Sequence, residues 1–352
     1  MKVNFQIYLD DAAGCVRKEE KMIQKISQVV SPGFDPYYNL ALEKYLFDHV
    51  DDDEIILYLW QNERTVVCGR NQNLWKECNV THLLEDGGHP VRRLSGGGAV
   101  FHDKGNLNFT FLVKKDNYDV DRQLQVIIQA CRDLGIHAEK TGRNDITVDS
   151  RKFSGNAFYS SGGRKYHHGT LLINVDTGSM SAYLNVDKQK LASKGVSSVR
   201  SRVANLIEFR PDLTIDLMKE KMIAAFETVY GLKAAPYDLN SAVASEELAK
   251  TQTFFQSDQW LYGRKIDFSY QINRRFPWGD FDLRLNVEQG KIVAAALYSD
   301  ANDEAFIRAI GDQLEGCSFS YGALSKLVEE CCRTEEHKGM AEDVKELLRS
   351  AI

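Results

Sequence analysis

From Tyr37 to Val50 the apolar positions Leu40, Leu42, Tyr45, Leu46 and Val50 follow helical spacing after the turn cluster Ser31-Pro32-Gly33-Phe34-Asp35-Pro36, which predicts a helix. Asn39 and Glu43 lie four apart on one of its faces. The period then shortens to two. Glu54 to Trp60 and Arg64 to Gly69 read as strands around Gln61-Asn62-Glu63, and Asn106 to Lys114 and Lys165 to Asn174 read the same way. Helical period returns at Asp119 to Gly135 and at Asp212 to Tyr230, each with a glycine stop. Further on, Phe281 to Val287 and Ile292 to Tyr298 flank the turn Glu288-Gln289-Gly290-Lys291, which predicts a hairpin, and Glu304 to Leu314, Tyr321 to Cys332 and Met340 to Ile352 read as helices covering it. Strands with inserted helices, and no regular strand-helix repeat, imply an α+β fold.

A chain of 352 residues, 43% hydrophobic and 27% charged, can build two cores. The pattern divides it into an extension over 1–21, a large domain over 22–250, a linker over 251–262 and a small domain over 263–352. No run of about 18 apolar residues occurs, so no membrane-spanning helix is expected. The first residues lack an apolar h-region with a cleavage site, which points to a cytoplasmic protein. Seven cysteines without a Cys-x-x-Cys pair read as reduced thiols, and the histidines form no zinc motif. A net charge of −6 argues against general nucleic-acid affinity.

Candidate chemistry centres on Arg92-Arg93-Leu94-Ser95-Gly96-Gly97-Gly98-Ala99-Val100-Phe101-His102-Asp103. Three glycines let main-chain N–H groups approach an anion, and arginine adds permanently charged donors. It is neither a Walker A loop nor a dinucleotide fingerprint. A glycine-rich hairpin with solvent-facing arginines would carry the same residue types.

Four further blocks follow in order: Gly142-Arg143-Asn144-Asp145; Arg151-Lys152-Phe153-Ser154-Gly155-Asn156-Ala157; Tyr166-His167-His168-Gly169-Thr170; and Lys194 to Leu206, which holds Val199-Arg200-Ser201-Arg202. Together with Gly69-Arg70-Asn71-Gln72-Asn73, they make the stretch from Phe34 to Leu206 closely resemble the lipoate-protein ligase A family. From Phe276 onward the chain resembles that family's accessory domain more loosely.

The resemblance implies a biotin/lipoate ligase-like catalytic domain and a two-step reaction. Lipoate and ATP, with Mg2+, give lipoyl-adenylate and pyrophosphate; the lipoyl group then passes to a lysine of an acceptor. The implied acceptors are lipoyl domains of 2-oxoacid dehydrogenase complexes or the glycine cleavage H protein. By the same resemblance, Arg93, Ser95, Gly96, Gly97, Gly98 and Ala99 hold the carboxylate and phosphate. Lys152 is the implied catalytic residue, its ammonium neutralising charge on the α-phosphate and acyl oxygen; a solvated loop lysine is the plain alternative. Asn144 and Asp145 suit adenine, ribose or a magnesium ion, and equally an Asx turn. Ser154, His168 and Gly169 complete the implied site.

Because neighbours on a strand face opposite ways, only one of His167 and His168 points inward, and the family position favours His168. His102 either orients the glycine loop or has a structural role. Apolar residues near Val67, Val100, Phe109 and Leu171 suit either an acyl tunnel or core. The chief rival is an ATP-independent octanoyltransferase or lipoyl amidotransferase on the same fold, whose nucleophilic cysteine would lie where this chain has Gly142 to Asp145. No cysteine stands there. A biotin ligase or a non-catalytic lipoate-binding scaffold are the remaining alternatives.

Overall fold

The computed structural model describes residues 23–141, 145–185, 203–263 and 267–352. The extension 1–21, Asn144 and most of the Lys194 to Leu206 block lie outside the described residues.

Eight strands form one mixed sheet in the order β11-β1-β2-β6-β10-β9-β8-β7. They are β1 (Lys25–Val30), β2 (Glu54–Trp60), β6 (Asn106–Lys114), β7 (Glu139–Thr141), β8 (Asp145–Val148), β9 (Arg151–Ser161), β10 (Arg164–Leu172) and β11 (Ala234–Pro236). β1 runs parallel to β2 and β11; the other pairings are antiparallel. The period-two pattern of β2 shows why both faces are covered. Ile55, Leu57 and Leu59 join the core beneath helices Val120–Asp133 and Ile215–Tyr230. Ile56, Tyr58 and Trp60 join the opposite core with helix Pro36–His49.

Beside that second face lies a three-stranded sheet, β4 (His89–Arg92), β3 (Thr65–Cys68) and β5 (Val100–His102), in the order β4-β3-β5. The glycine run is its β4–β5 connection. The small domain pairs β12 (Tyr270–Phe276), β13 (Gly279–Glu288) and β14 (Lys291–Tyr298) under helices Glu304–Gly311, Tyr321–Glu330 and Glu335–Ala351, around its own core.

Two expectations are corrected. The stretch 251–262 is helical: Glu246–Gln256 and Asp258–Tyr262 bury Leu248, Phe255 and Leu261, and Leu248 and Phe255 pack on the helix Pro36–His49 side of the large core. Arg92 pins the second of these helices, donating from Nε to Trp260 O (2.8 Å) and from Nη2 to Leu261 O (2.6 Å). The last helix begins at Glu335 because Thr334 caps it, not at Met340.

The two domains meet at the glycine loop. Ala301 O accepts from Gly97 N at 2.9 Å, Ser299 N donates to Asn71 O at 2.8 Å, and Arg70 Nε stands 3.4 Å from buried Glu304. A Cβ on Gly96 would lie 2.5 Å from Ala301 O, so only glycine permits this approach.

Candidate active site

Arg93 folds the loop around itself. Its Nη1 donates to Val67 O (3.1 Å), its Nη2 to Gly96 O (2.6 Å) and Gly98 O (2.9 Å), and its Nε to Ser95 Oγ (2.9 Å). Burial pushes this guanidinium below its usual pKa, yet arginine stays charged. Most of its donors therefore shape the loop. Gly97 takes a φ of 88°, where a side chain would be strained and its Cβ would meet Arg93 Nη2.

Ser95 passes the hydrogen-bond chain onward. Its Oγ lies 2.8 Å from His168 Nε2, His168 Nδ1 lies 2.9 Å from Glu43 Oε1, and that oxygen also accepts from Thr110 Oγ1 at 2.7 Å. Trp60 Nε1 donates to Thr110 Oγ1 at 3.1 Å. Ser95, His168, Glu43 and Thr110 are all buried. The chain joins the loop to β10, to helix Pro36–His49 and to β6. His167 points to the other face, between Gln123 and Asn156.

Lys152 arrives by a different route. Asp149 and Ser150, at φ 47° and 61°, turn β8 back into β9. Opposite Ile146 and Thr147, β9 partners are Ser154 and Lys152, so Phe153 is an extra residue in β9. The bulge reverses the alternation. Lys152 consequently lies over Gly155, with Nζ 2.6 Å from Asp145 Oδ1. Ser154 falls on the core face beside Ile146, is fully buried, and does not line the cavity described next. Its expected place among the substrate-binding residues rests on family position alone.

A cavity of about 200 Å³ connects these groups. Leu40, Trp60, Val67, Val100 and Ala157 give it apolar walls, while Arg93, His102, Lys152, His168 and Asn302 supply polar ones; Gly97, Gly98, Ala99 and Gly169 bring backbone to it. A Cβ on Gly169 would meet Gly155 O at 2.6 Å. Thus Val67 and Val100 line the cavity, whereas Phe109 and Leu171 are core. Glu43, Thr110, Trp60 and Asn302 were not anticipated. Glu43 had the one visible signal, a carboxylate four residues from Asn39 on a helical face that also carries the apolar positions Leu40 and Leu46.

Among the described residues, no group of three or more His, Cys, Asp or Glu could hold a metal ion. The Asp145 carboxylate, paired with the cavity-lining Lys152, fits a magnesium ion carried mainly by phosphates and water.

Burial pushes His102 and His167 down to about 3, against an ordinary histidine value near 6.5. Between those values the unfolded chain binds more protons, so stability is full above about pH 6.5 and falls as pH drops toward 3. Each ring contributes a slope of up to about 1.4 kcal/mol per pH unit. Urea unfolding at pH 7.5 and 5 should show the loss; equal midpoints at the two pH values would contradict it.

The description "Lipoyl protein ligase A/B catalytic domain" matches residues 35–227, and "Bacterial lipoate protein ligase C-terminus" matches 265–349. Among solved structures, LipL1 of P. falciparum in complex with lipoate is 29% identical, with a TM-score of 0.80, covering 91% of this chain and 98% of that one. A bi-partite lipoate protein ligase from Thermoplasma acidophilum, solved in a study with its E2 lipoyl domain, is 25% identical with a TM-score of 0.58, covering 70% and 99%. A lipoate-protein ligase A bound with ATP shares the fold at 24% identity and a TM-score of 0.58, covering 69% and 99%. No helix among the described residues is long and apolar enough to cross a membrane. With the catalytic-domain description matched over more than half of its length and the C-terminal description over most of the rest, the chain belongs to the lipoyl protein ligase A/B family.

Proposed function

We propose that this protein is an ATP-dependent lipoate-protein ligase that works through lipoyl-adenylate. The observation that carries the reading is the convergence of the Lys152–Asp145 pair, the glycine loop and an apolar-walled cavity at one place. A lipoate carboxylate oxygen attacks the α-phosphorus of ATP, and the bond to pyrophosphate breaks. Lys152 offsets the repulsion between the two anions and the charge that builds between them. Asp145 aims that ammonium and is the group suited to a magnesium ion accompanying the phosphates. In the second step a protein-borne lysine amine attacks the acyl carbonyl, AMP leaves, and an amide forms.

Ser95, His168 and Glu43 act by positioning, since their chain fixes the loop before substrate arrives. Gly96, Gly97, Gly98 and Ala99 present backbone to the anions, and His102, Gly169 and the apolar walls hold the acyl chain. Asn144 is assigned to the nucleotide by family position alone. The acceptor class is a lipoyl domain of a 2-oxoacid dehydrogenase complex or the glycine cleavage H protein, and the cytoplasm is the assigned compartment.

In the structure, Ala301 O occupies the Gly97 N–H. An anion seated on that N–H displaces the contact, which couples ligand binding to movement of the small domain and uncovers the acceptor surface.

Chemistry through a cysteine thioester finds little support. Cys68 and Cys131 are buried, and desolvation pushes each thiol up to about 12. Replacing either with serine should leave ATP-dependent ligation within about two-fold of the parent in a folded variant, because surrounding packing, and not a nucleophile, is altered. An acyl-thioester on either residue in intact-mass analysis would refute this. The functional test is incubation with lipoate, an apo lipoyl domain and Mg2+, with and without ATP. Lipoylation only with ATP supports the ligase; octanoyl transfer from acyl carrier protein without ATP supports the transferase; neither supports the scaffold.

A further inference from the structure

Asn302 stands in the turn that leads from β14 into helix Glu304–Gly311, and it brings the small domain into the wall of the cavity. The main chain is fixed on both sides of it. Ser299 N donates to Asn71 O at 2.8 Å, Gly97 N to Ala301 O at 2.9 Å and Asn71 Nδ2 to Glu304 O at 3.2 Å. Within the turn, Ala301 N donates to Ser299 Oγ and Glu304 N to Asn302 O, each at 3.1 Å. The position of Asn302 is therefore set without its side chain. Ala301 and Glu304 are buried, whereas Asn302 is exposed and lines both the cavity and the cleft beside it. Its side-chain amide meets no hydrogen-bond partner among the described residues.

The side chain is directed at the glycine loop. A Cβ built on Gly97 would stand 3.1 Å from Asn302 Oδ1 and 3.0 Å from Arg93 Nη2, so the amide oxygen lies over Gly97 on the side of the guanidinium. An amide that turns its oxygen toward a cation keeps its NH2 group for another acceptor. Arg93, Gly97 and Gly98 line the same cavity, and a guanidinium beside glycine main chain collects anionic oxygens. The neighbouring carboxylate does not compete for that NH2: Asp303 Oδ2 lies 2.6 Å from His337 Nε2, and its Oδ1 accepts from Phe306 N at 3.0 Å.

We propose that Asn302 is a substrate-binding residue supplied by the small domain: its Nδ2–H donates a hydrogen bond to an anionic oxygen that enters the cavity at the glycine loop. The proposal rests on the ligase reading for the identity of that oxygen, which belongs to the lipoate carboxylate or to a phosphate of ATP. The contact exists while Ala301 O holds the Gly97 N–H. Once an anion takes that N–H and the small domain withdraws, Asn302 leaves with it, so Asn302 serves the capture of substrate.

The test is equilibrium binding to the full chain, in separate arms, of lipoate alone and of ATP with Mg2+ alone. Asn302→Ala should weaken at least one of the two by about 10-fold, the usual consequence of removing a hydrogen bond to a charged group, and the ligand that suffers tells which oxyanion Asn302 meets. Asn302→Asp keeps the size but sets a carboxylate against that anion, and it should weaken the same ligand by about 30-fold or more. The order of the two variants is decisive, because a residue that acted through packing would tolerate the isosteric Asp better than Ala. Urea midpoints of both variants should stay at the parent value, since the side chain holds nothing else in place. Binding of both ligands by Asn302→Ala as tight as the parent's, or binding by Asn302→Asp no weaker than by Asn302→Ala, would overturn the proposal. A parent that binds both ligands and forms no lipoyl-AMP would instead remove the ligase reading and leave the contact standing.

Discussion

Lys152→Ala should lower the rate of lipoyl-adenylate formation by about 100-fold or more, the usual consequence of losing one charge-stabilising donor aimed at a transition state. The fold should be nearly unaffected. Lys152 is more than one-third exposed, and its partner Asp145 is exposed to the same degree, so the pair adds little to stability. Separation of the two effects is the informative part. A rate assay for pyrophosphate release in the absence of acceptor, beside a thermal melt, measures both. Lys152→Arg keeps the charge but not the compact ammonium, and it should recover only part of the rate. If Lys152→Ala forms adenylate at near the parent rate, Lys152 is not the central residue and the loop backbone must do the work alone.

Glu43→Leu should cost both stability and activity, for a different reason. Glu43 is 1% exposed, and its Oε1 accepts from both Thr110 and His168. Leucine fills the space but removes the acceptor, stranding two buried donors at about 1–3 kcal/mol each. A total loss of about 3 kcal/mol is expected in urea unfolding. Adenylate formation should fall with it, because His168 no longer holds Ser95 and the loop loses its fixed shape. Glu43→Gln retains an acceptor oxygen and should be much milder. A Glu43→Leu protein with parent stability and parent activity would show that the buried chain does not position the loop.

The contrast between these residues explains what the sequence could tell. Lys152 stands out in the sequence because its neighbours Arg151, Phe153 and Gly155 form a block with a recognisable spacing, and in the fold it lines the cavity. Ser154 belongs to the same block, and the extra residue at Phe153, which sets the faces of β9, leaves no mark in the sequence. The strand itself went unread: Ser154, Gly155, Asn156, Ser160 and Ser161 have low strand propensity, and pairing with β8 and β10 specifies it. Helix Pro36–His49 was read from its period and its turn cluster, but the partners of Glu43 lie 67 and 125 residues away in sequence. Such contacts are created by the fold and leave no local pattern. The stretch 251–262, expected as a linker, is held as helix by the packing of Phe255, with Leu248 just before it, on the large domain, a contact that its own sequence does not display. Arg93 was legible as a cation beside a glycine run, whereas its use on the loop's own carbonyls required the folded loop.

The most direct test of the central claim is a two-stage reaction. Protein, lipoate, ATP and Mg2+ are incubated without acceptor and analysed for lipoyl-AMP; residual ATP is then removed and an apo lipoyl domain is added. The account predicts enzyme-bound lipoyl-AMP in the first stage and its conversion to AMP and lipoylated domain in the second. Lipoylation of the domain without ATP at any stage, or transfer with no lipoyl-AMP formed, would contradict it.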